Sequence, residues 1–462
     1  MKEIRPFGFR DKIGYMFGDF GNDFMFLLAS FYLMTFYTDV LGIPSAAVGT
    51  LFLVARIVDA FTDVTMGRIV DSAKPAKDGR FRCWIRRIAG PVAIASFLMY
   101  QSSMAGAPTT LKYVYMYVTY LLWGSVFYTA INIPYGSMAS AISNDPDDRS
   151  ALSTFRSVGA TLANMLVSVV VPQLLYNANG EIVSNSRFTL IAGVFSVCAV
   201  ICYVLCYTNT VERVKIEKPN DAPKENVFKS LGTLLKNRAL IGIIGAAIFL
   251  LLAMLLSQSV NQYLFRLYFK NTAALSTMNL IGSLLTLAIA TVTVPIAKKF
   301  GKKEAATVAT AIAAAAYFAL FVMKTTNVWV FVALISVAQI GTNFFNLVIW
   351  ANITDIIDYH EVKTGQREDG TIYAVYSFSR KLGQALAGGL GGYALQLVGY
   401  DSAAAAQGLE QTQPVLNGIY NVTTVAPAVC LVLVTLSLAF VYPLTKKVVN
   451  DNVAELKRRR EG

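Results

Sequence analysis

Apolar stretches of about 20 residues recur from end to end of this 462-residue sequence. Each is long enough for a helix to cross roughly 30 Å of bilayer hydrocarbon. Charged residues make up only 15% of the chain, whereas a soluble domain carries about 25%. The pattern predicts an all-α membrane protein. The predicted transmembrane helices number twelve, near residues 13–39, 47–71, 88–106, 111–142, 151–176, 187–208, 239–268, 274–298, 305–324, 328–357, 371–398 and 419–445.

Lysine and arginine are concentrated after the second, sixth and eighth predicted spans and in the C-terminal tail. Cytoplasmic loops carry such an excess, so both termini are expected on the cytoplasmic side of a bacterial inner membrane. The first apolar run is long and carries carboxylates, unlike a cleaved signal peptide. The net charge of +12 then reflects topology and attraction to lipid headgroups. Nucleic-acid binding is not expected, because no basic stripe with interleaved aromatic residues stands outside the loops.

One long polar interruption divides the sequence. We predict an N-terminal six-helix bundle over residues 1–210, a cytoplasmic middle loop over 211–238 and a C-terminal six-helix bundle with a basic tail over 239–462. Each half has a short basic loop after its second span. This weak internal symmetry is typical of a two-bundle transporter of the major facilitator type, whose binding site lies between the halves near the bilayer midplane.

Ionisable side chains lie inside several of the predicted spans. They are Asp19, Asp23, Arg56, Asp59, Asp63, Arg156 and Lys381. A charge at the bilayer centre costs about 2.5–3.5 kcal/mol even on insertion scales, so such groups persist where they pair or line a polar cavity. Their clustering indicates an ion and substrate pathway.

The second span carries the clearest candidate for an ion site. Arg56, Asp59 and Asp63 follow one stripe of a helix, and the two acids face a single arginine. With the hydroxyl of Thr62, the carboxylates offer oxygen ligands to a monovalent cation or a place for a proton. The alternative is a salt-bridge network that only locks helices together. For Asp19 the structural and the functional interpretation are equally open.

Aromatic and amide side chains within the spans suit a polyhydroxyl ligand, although each also has a packing role available. Tyr128 and Tyr376 supply rings and hydroxyls, and Asn132 and Gln384 supply amides. Asp23, Asp59, Thr129, Asn132 and Lys381 all fall near the middle of their spans, where opposite charges can neutralise one another in the empty protein.

Chemistry other than transport finds little support. The single histidine, His360, lies in a predicted cytoplasmic loop, which excludes a histidine-based metal centre or catalytic triad. The sequence contains no Gly-x4-Gly-Lys-Ser/Thr loop, so a nucleotide-driven pump is not expected. We therefore expect that the protein is not an enzyme and needs no cofactor, and that a proton or sodium ion is co-transported. The expected partners are a sugar and membrane lipids, and the expected state is a monomer. An uncoupled sugar facilitator, and a lipid carrier or flippase, remain alternative interpretations.

Several motifs carry a resemblance to a known family. They are residues 14–23 (Gly-Tyr-Met-Phe-Gly-Asp-Phe-Gly-Asn-Asp), 36–40, 49–63 (ending Arg-Ile-Val-Asp-Ala-Phe-Thr-Asp), 132–137 (Asn-Ile-Pro-Tyr-Gly-Ser), 355–359 (Asp-Ile-Ile-Asp-Tyr) and 381–383 (Lys-Leu-Gly). The sequence resembles the glycoside–pentoside–hexuronide:cation symporters of the major facilitator superfamily from the first span to the last. The resemblance implies alternating-access symport of a glycoside, pentoside or hexuronide with a proton or sodium ion.

The resemblance also implies roles for individual residues. Asp59 and Asp63 match the family's cation-site carboxylates, and Thr129 matches a hydroxyl beside them. Asp23 and Arg156 match sugar-contacting residues, and Lys381 matches a lysine between the two sites. The predicted cation site comprises Asp59, Thr62, Asp63 and Thr129. The predicted substrate site comprises Asn22, Asp23, Tyr128, Asn132, Arg156, Tyr376, Lys381 and Gln384.

Three positions depart from the melibiose-transporting members of the family. Thr62 replaces an amide ligand, which leaves the choice between sodium and proton open. Asn132 replaces a second sugar-binding carboxylate, and Gly136 replaces a stacking indole. A galactoside site is therefore not reproduced, and Asn-Ile-Pro-Tyr-Gly-Ser is more similar to the pentoside and hexuronide branches.

Overall fold

The computed structural model describes residues 5–73, 76–143, 145–177, 180–214, 237–365 and 369–461. Long helices dominate these ranges, and their only β-type pairings are two isolated bridges. The helices are α1 (Phe9–Leu28), α2 (Ser45–Ser72), α3 (Arg82–Leu98), α4 (Thr109–Leu121), α5 (Thr129–Ile142), α6 (Pro146–Leu175), α7 (Ser186–Asn209), α8 (Arg238–Tyr263), α9 (Thr272–Phe300), α10 (Lys302–Met323), α11 (Val328–Thr364), α12 (Asp369–Leu397), α13 (Ser402–Ala406), α14 (Gln413–Leu436) and α15 (Lys446–Glu461). The predicted all-α membrane fold is confirmed.

Turns of π-helix extend or join several of these helices. They are Ala29–Leu33, Phe36–Val40, Leu122–Tyr128, Leu264–Tyr268 and Ser437–Val441, with a 3₁₀ turn at Ser102–Gly106. Leu122–Tyr128 connects α4 to α5, so that Thr109–Ile142 runs as one span. Such wide turns shift the helical register and are frequent at functional sites.

Ten helices of the described chain are long and apolar enough to cross a membrane. They coincide with ten of the twelve predicted spans. The other two predicted spans coincide with α1 and α12, which are not among those ten. In α1 the reason is plain, because Asp11, Asp19 and Asp23 lower the hydropathy of a helix that is otherwise rich in phenylalanine and leucine.

The first compact unit comprises Met1–Asn220 and Tyr400–Gln411. Within it α1 packs most extensively against α6 and α7, and α3 packs against α7. Glycines on α1 permit this close approach: a Cβ atom at Gly14 would lie 2.7 Å from the Cβ of Asn209, and one at Gly18 would overlap the Tyr135 ring. Small residues allow helix backbones to approach in the same way throughout membrane proteins.

Two acids, Asp11 and Glu212, fix the residues that follow α7. Asp11 is fully buried and accepts hydrogen bonds from the Arg213 guanidinium, with Arg213 Nη2 at 2.9 Å from Asp11 Oδ2. Glu212 accepts the main-chain N–H groups of Arg80, Phe81 and Arg82 at 2.7–2.9 Å. Positions 211–214 are thereby bound to the first unit, whereas most of the predicted middle loop, residues 215–236, lies outside the described residues.

The segment 400–411 belongs to the first unit although it follows α12 in sequence. The Tyr400 hydroxyl donates to Asp39 Oδ1 at 2.6 Å, and both residues are buried. The short helix α13 is N-capped by Asp401 and packs against the π turn Phe36–Val40. This segment is therefore held to the first unit by both a hydrogen bond and packing.

The second unit comprises Asp221–Gly399 and Thr412–Gly462. Here α8 packs against α12 and α14, α10 packs against α11 and α14, and α9 packs against α11. The C-terminal helix α15 lies against α11 and α10. Arg459 ties α15 to the end of α11 by donating to the carbonyl oxygen of Val362 at 3.2 Å.

Candidate functional site

The carboxylates of α2 form the centre of the candidate ion site. Arg56 Nη1 lies 3.4 Å from Asp59 Oδ2, at the long end of ion-pair geometry. The side chain of Asp59 is 19% exposed and that of Arg56 30% exposed. The Arg56 guanidinium also lies 5.9 Å from the centroid of the Phe26 ring. Arg56 therefore pairs with Asp59 on the stripe of α2 that also carries Asp63.

Hydroxyls from the neighbouring helix bind each acid. Ser125 Oγ donates to Asp59 Oδ1 at 2.6 Å, and Thr129 Oγ1 donates to Asp63 Oδ1 at 3.1 Å. Both hydroxyl residues are almost fully buried. The two acids are four positions apart on α2, and the two hydroxyl residues are four positions apart on the α4–α5 span, a rise of about 6 Å in each case. The two carboxylate–hydroxyl pairs therefore stack as two rungs between α2 and the α4–α5 span.

Thr62 makes a different contact from the one expected. Its Oγ1 donates to the main-chain oxygen of Asp59 at 3.2 Å, within its own helix. Ser125 instead supplies the second hydroxyl of the candidate site, although it was not among the predicted residues. The available signal was its spacing, because Ser125 lies one helical turn before Thr129 just as Asp59 lies one turn before Asp63.

Asp19 and Arg156 join α1 to α6. Arg156 Nε donates to Asp19 Oδ1 at 2.9 Å, with the carboxylate buried and the arginine side chain 42% exposed. The guanidinium lies 5.5 Å from the centroid of the Tyr135 ring, which stacks on Tyr15. Arg156 is therefore oriented by its acid and its aromatic neighbour, while part of its surface stays open to a ligand.

Amides form a second contact across the same unit. The Tyr203 hydroxyl donates to Asn22 Oδ1 at 2.7 Å, and Asn22 Nδ2 lies 3.5 Å from Asn132 Oδ1. Tyr203 on α7 is fully buried, and no feature of its sequence neighbourhood had singled it out. These two hydrogen bonds hold Asn22 and Asn132, two of the predicted substrate residues, next to each other.

Asp23 and Tyr128 complete the predicted substrate residues of the first unit. Asp23 is half-buried one turn after Asp19, and in the described part of the chain its carboxylate has no hydrogen-bond or ion-pair partner. A half-buried carboxylate without a partner is costly in a membrane protein unless a ligand or water meets it. The Tyr128 ring stacks on Phe26 at 5.8 Å and lies 5.3 Å from Trp123.

The remaining predicted substrate residues lie on α12, in the second unit. Tyr376 is fully buried, meets the Trp350 ring edge-on at 5.0 Å and accepts a hydrogen bond from Arg380 at 3.4 Å. Gln384 is half-buried one turn beyond Arg380. The side chain of Lys381 lies outside the described residues. The structure thus brings the first-unit residues into two clusters, while the predicted proximity of Lys381 to Asp59 stays a prediction.

Long apolar helices that enclose acids, an arginine and amides define a multi-pass membrane carrier. The chain belongs to the family described as MFS/sugar transport protein, whose model matches residues 14–446. This membership confirms the resemblance to the glycoside and hexuronide symporters. The protein is a sugar transporter of the major facilitator superfamily and not an enzyme.

Relatives match over nearly the whole chain. A Bacillus subtilis (strain 168) protein named as an uncharacterized symporter is 35% identical over 94% of this chain and 92% of its own length. The glucuronide carrier protein homolog of Escherichia coli (strain K12) is 30% identical over 98% of this chain and 96% of its own. The fold is similar to that of a bacterial homolog of the lysosomal transporter Spinster, inward-facing and unoccupied, with a TM-score of 0.66 at 12% identity, covering 96% of each chain.

Proposed function

We propose that the protein is a secondary active symporter that couples uptake of a glycoside, pentoside or hexuronide to a monovalent cation. The observation that carries this proposal is the pair of rungs Asp59–Ser125 and Asp63–Thr129. Two carboxylates and two hydroxyls supply oxygen atoms that suit a sodium ion, and the carboxylates also offer a place for a proton.

Sugar recognition is assigned to the second cluster of the first unit. Asp23 would accept hydrogen bonds from sugar hydroxyls, and Arg156 would donate to a hydroxyl or to a uronate carboxylate. Asn22 and Asn132 would supply amide contacts with the Tyr128 ring beside them. Tyr376, Lys381 and Gln384 would complete the site from α12. The name of the glucuronide carrier homolog supports an acidic or glycosidic sugar as the substrate class.

Coupling is assigned to the charge balance between the two sites. Lys381 would offset negative charge of Asp59 and Asp63 in the empty protein and turn to the sugar when an ion arrives. Such linkage is reciprocal, so the sugar must tighten ion binding by the factor by which the ion tightens sugar binding. A membrane potential supplies about 2.3 kcal/mol per charge per 100 mV, and tenfold accumulation requires about 1.4 kcal/mol.

The proposed setting is the inner membrane of a bacterium with both termini cytoplasmic. The basic residues support that orientation, because the loops between Ser72 and Arg82 and between Phe300 and Lys302 follow even-numbered spans and carry lysine or arginine around them. Transport then moves substrate by alternating access between the two faces.

Uptake by whole cells tests the proposal. Radiolabelled glucuronides, xylosides and galactosides are offered with and without sodium at two external pH values. Wild-type protein is expected to accumulate at least one sugar, with a dependence on sodium or on low pH that identifies the ion. Asp59→Asn and Asp63→Asn are expected to lose accumulation while retaining exchange.

Asp401→Asn is the matched control, since asparagine caps α13 as well as aspartate does. Full accumulation by the Asp59→Asn/Asp63→Asn double variant would contradict the proposal. Equilibration of sugar without accumulation in the wild type would favour the uncoupled facilitator instead.

A further inference from the structure

A cavity of about 390 Å³ lies within the second unit, and its lining includes no residue of the two clusters described above. It opens where the C-terminal turns of α9 and the middle of α11 meet the residues that begin α15. Its size falls within the range of about 300–1,000 Å³ that is usual for ligand pockets. Three lysines and one aspartate lie on its wall, and most other lining residues are apolar.

The cavity lies at the depth where the spans end. Its lining includes Lys298, two residues before the end of α9, and Leu444, three residues after the last span ends at Val441. Val294 and Leu347 form its apolar side, and both side chains are exposed on the surface of the described chain. A pocket with cations at its rim and apolar residues towards the hydrocarbon matches the division between a lipid headgroup and its acyl chains.

The lysines of the cavity are not all neutralised. Lys302 Nζ lies 2.7 and 2.8 Å from the two carboxylate oxygens of Asp355, so the charges of these two residues cancel. Lys446 Nζ donates to the main-chain oxygen of Lys299 at 2.9 Å, and no acid among the described residues forms an ion pair with it. Lys298 is exposed at the end of α9. Two positive charges of the lining therefore remain after the pairing.

Other charged groups around the cavity keep the balance positive. Lys303 directs its ammonium towards the carbonyl oxygens of Ala439 and Tyr442. The Glu304 carboxylate accepts the main-chain N–H of Lys446 at 3.0 Å. Asp358 follows Asp355 by one turn of α11, and Lys299 adjoins Lys298. Lys299 and Lys303 equal these two acids in number, so a count of charges still leaves the excess of Lys298 and Lys446.

We propose that this cavity binds the phosphate headgroup of an anionic phospholipid. Lys298 and Lys446 donate to the phosphate oxygens, and the wall of Val294 and Leu347 receives the start of an acyl chain. Basic pockets between transmembrane helices at the cytoplasmic interface suit such headgroups, because cation and phosphate meet there in a medium of reduced dielectric. This assignment does not depend on which sugar or ion the protein carries.

Native mass spectrometry of the full-length protein in detergent tests the site. The probes are dioleoyl-phosphatidylglycerol, dioleoyl-phosphatidylcholine and inorganic phosphate, each titrated alone. The wild type is expected to bind one phosphatidylglycerol in preference to phosphatidylcholine. In the Lys298→Gln/Lys446→Gln variant, the dissociation constant for phosphatidylglycerol is expected to rise at least about tenfold, because two charge-assisted contacts are lost.

The control is Lys324→Gln/Lys447→Gln, which removes the same charge from two exposed lysines outside the cavity lining. Lys298→Glu is a second variant that leaves the bond from Lys446 to Lys299 intact, so a folding defect in the double variant does not block the test. Equal binding of the two lipids by the wild type, or wild-type affinity in Lys298→Glu, would overturn the proposal. Binding of inorganic phosphate without phosphatidylglycerol would overturn the lipid assignment.

Discussion

At the scale of single residues, Ser125 is a contact of the candidate ion site that was not predicted from the sequence. The predicted hydroxyl of Thr62 binds its own helix, while Ser125 reaches Asp59 from the neighbouring one. Spacing along one helix indicates which residues share a face, but it does not indicate which helix packs opposite that face. Asp59, Asp63 and Thr129 could therefore be found in the sequence, whereas the spacing of Ser125 from Thr129 becomes informative only when the facing helix is known.

The first prediction follows from that contact. Ser125→Ala is expected to raise the ion concentration for half-maximal sugar uptake about fivefold, because one hydroxyl ligand contributes about 1 kcal/mol. Ser140→Ala is the control, since its hydroxyl donates to the Ser137 carbonyl oxygen on the same helix. Uptake kinetics against the ion that drives transport give the measurement. An unchanged ion dependence in Ser125→Ala would remove Ser125 from the cation site.

The second prediction separates a ligand from a structural acid. Asp23→Ala is expected to lower sugar affinity by about 1.5–3 kcal/mol, the range for hydrogen bonds to charged groups, while thermal stability stays near wild type. Arg156→Ala should weaken sugar binding and also lower stability, since it leaves the buried Asp19 carboxylate unpaired. Calorimetric titration and thermal unfolding measure the two effects. Wild-type sugar affinity in Asp23→Ala would show that Asp23 is structural.

At the scale of elements, the apolar runs predicted where helices lie but not how they end. The span predicted over 111–142 is one continuous helix in the structure, yet its π turn Leu122–Tyr128 left no mark in the sequence. A π turn differs from its flanking α-helix in hydrogen-bond register, which hydropathy does not record. The helices α13 and α15 lie in stretches that were expected to be loop and tail.

The third prediction concerns the segment 400–411. Tyr400→Phe removes the hydroxyl that donates to the buried Asp39 carboxylate. The expected loss of stability is about 1–3 kcal/mol, the usual cost of a lost buried hydrogen bond. Cleavage after Glu410 by a glutamate-specific protease should become faster. Tyr113→Phe is the matched control. Equal melting temperatures and equal cleavage rates in the two variants would show that packing alone holds the segment.

At the scale of the whole molecule, composition and hydropathy were sufficient for the fold class. A chain whose spans recur from end to end has few alternatives in a bilayer, where every backbone polar group must be bonded internally. The structure was needed to find which helices pack together within each compact unit, because α1 packs against α6 and α7, which are far from it in sequence. The proposed meeting of Asp59 and Lys381 concerns both units and remains a prediction.

The central claim is that sugar and ion move together through sites linked by Asp59 and Asp63. The most direct test uses purified protein in liposomes, with sugar at a higher concentration outside than inside and no initial ion gradient. We predict that sugar flow draws the coupled ion into the liposomes, seen as internal acidification or sodium entry. The Asp59→Asn/Asp63→Asn variant should move no ion. Sugar entry by the wild type without any proton or sodium movement would contradict the claim.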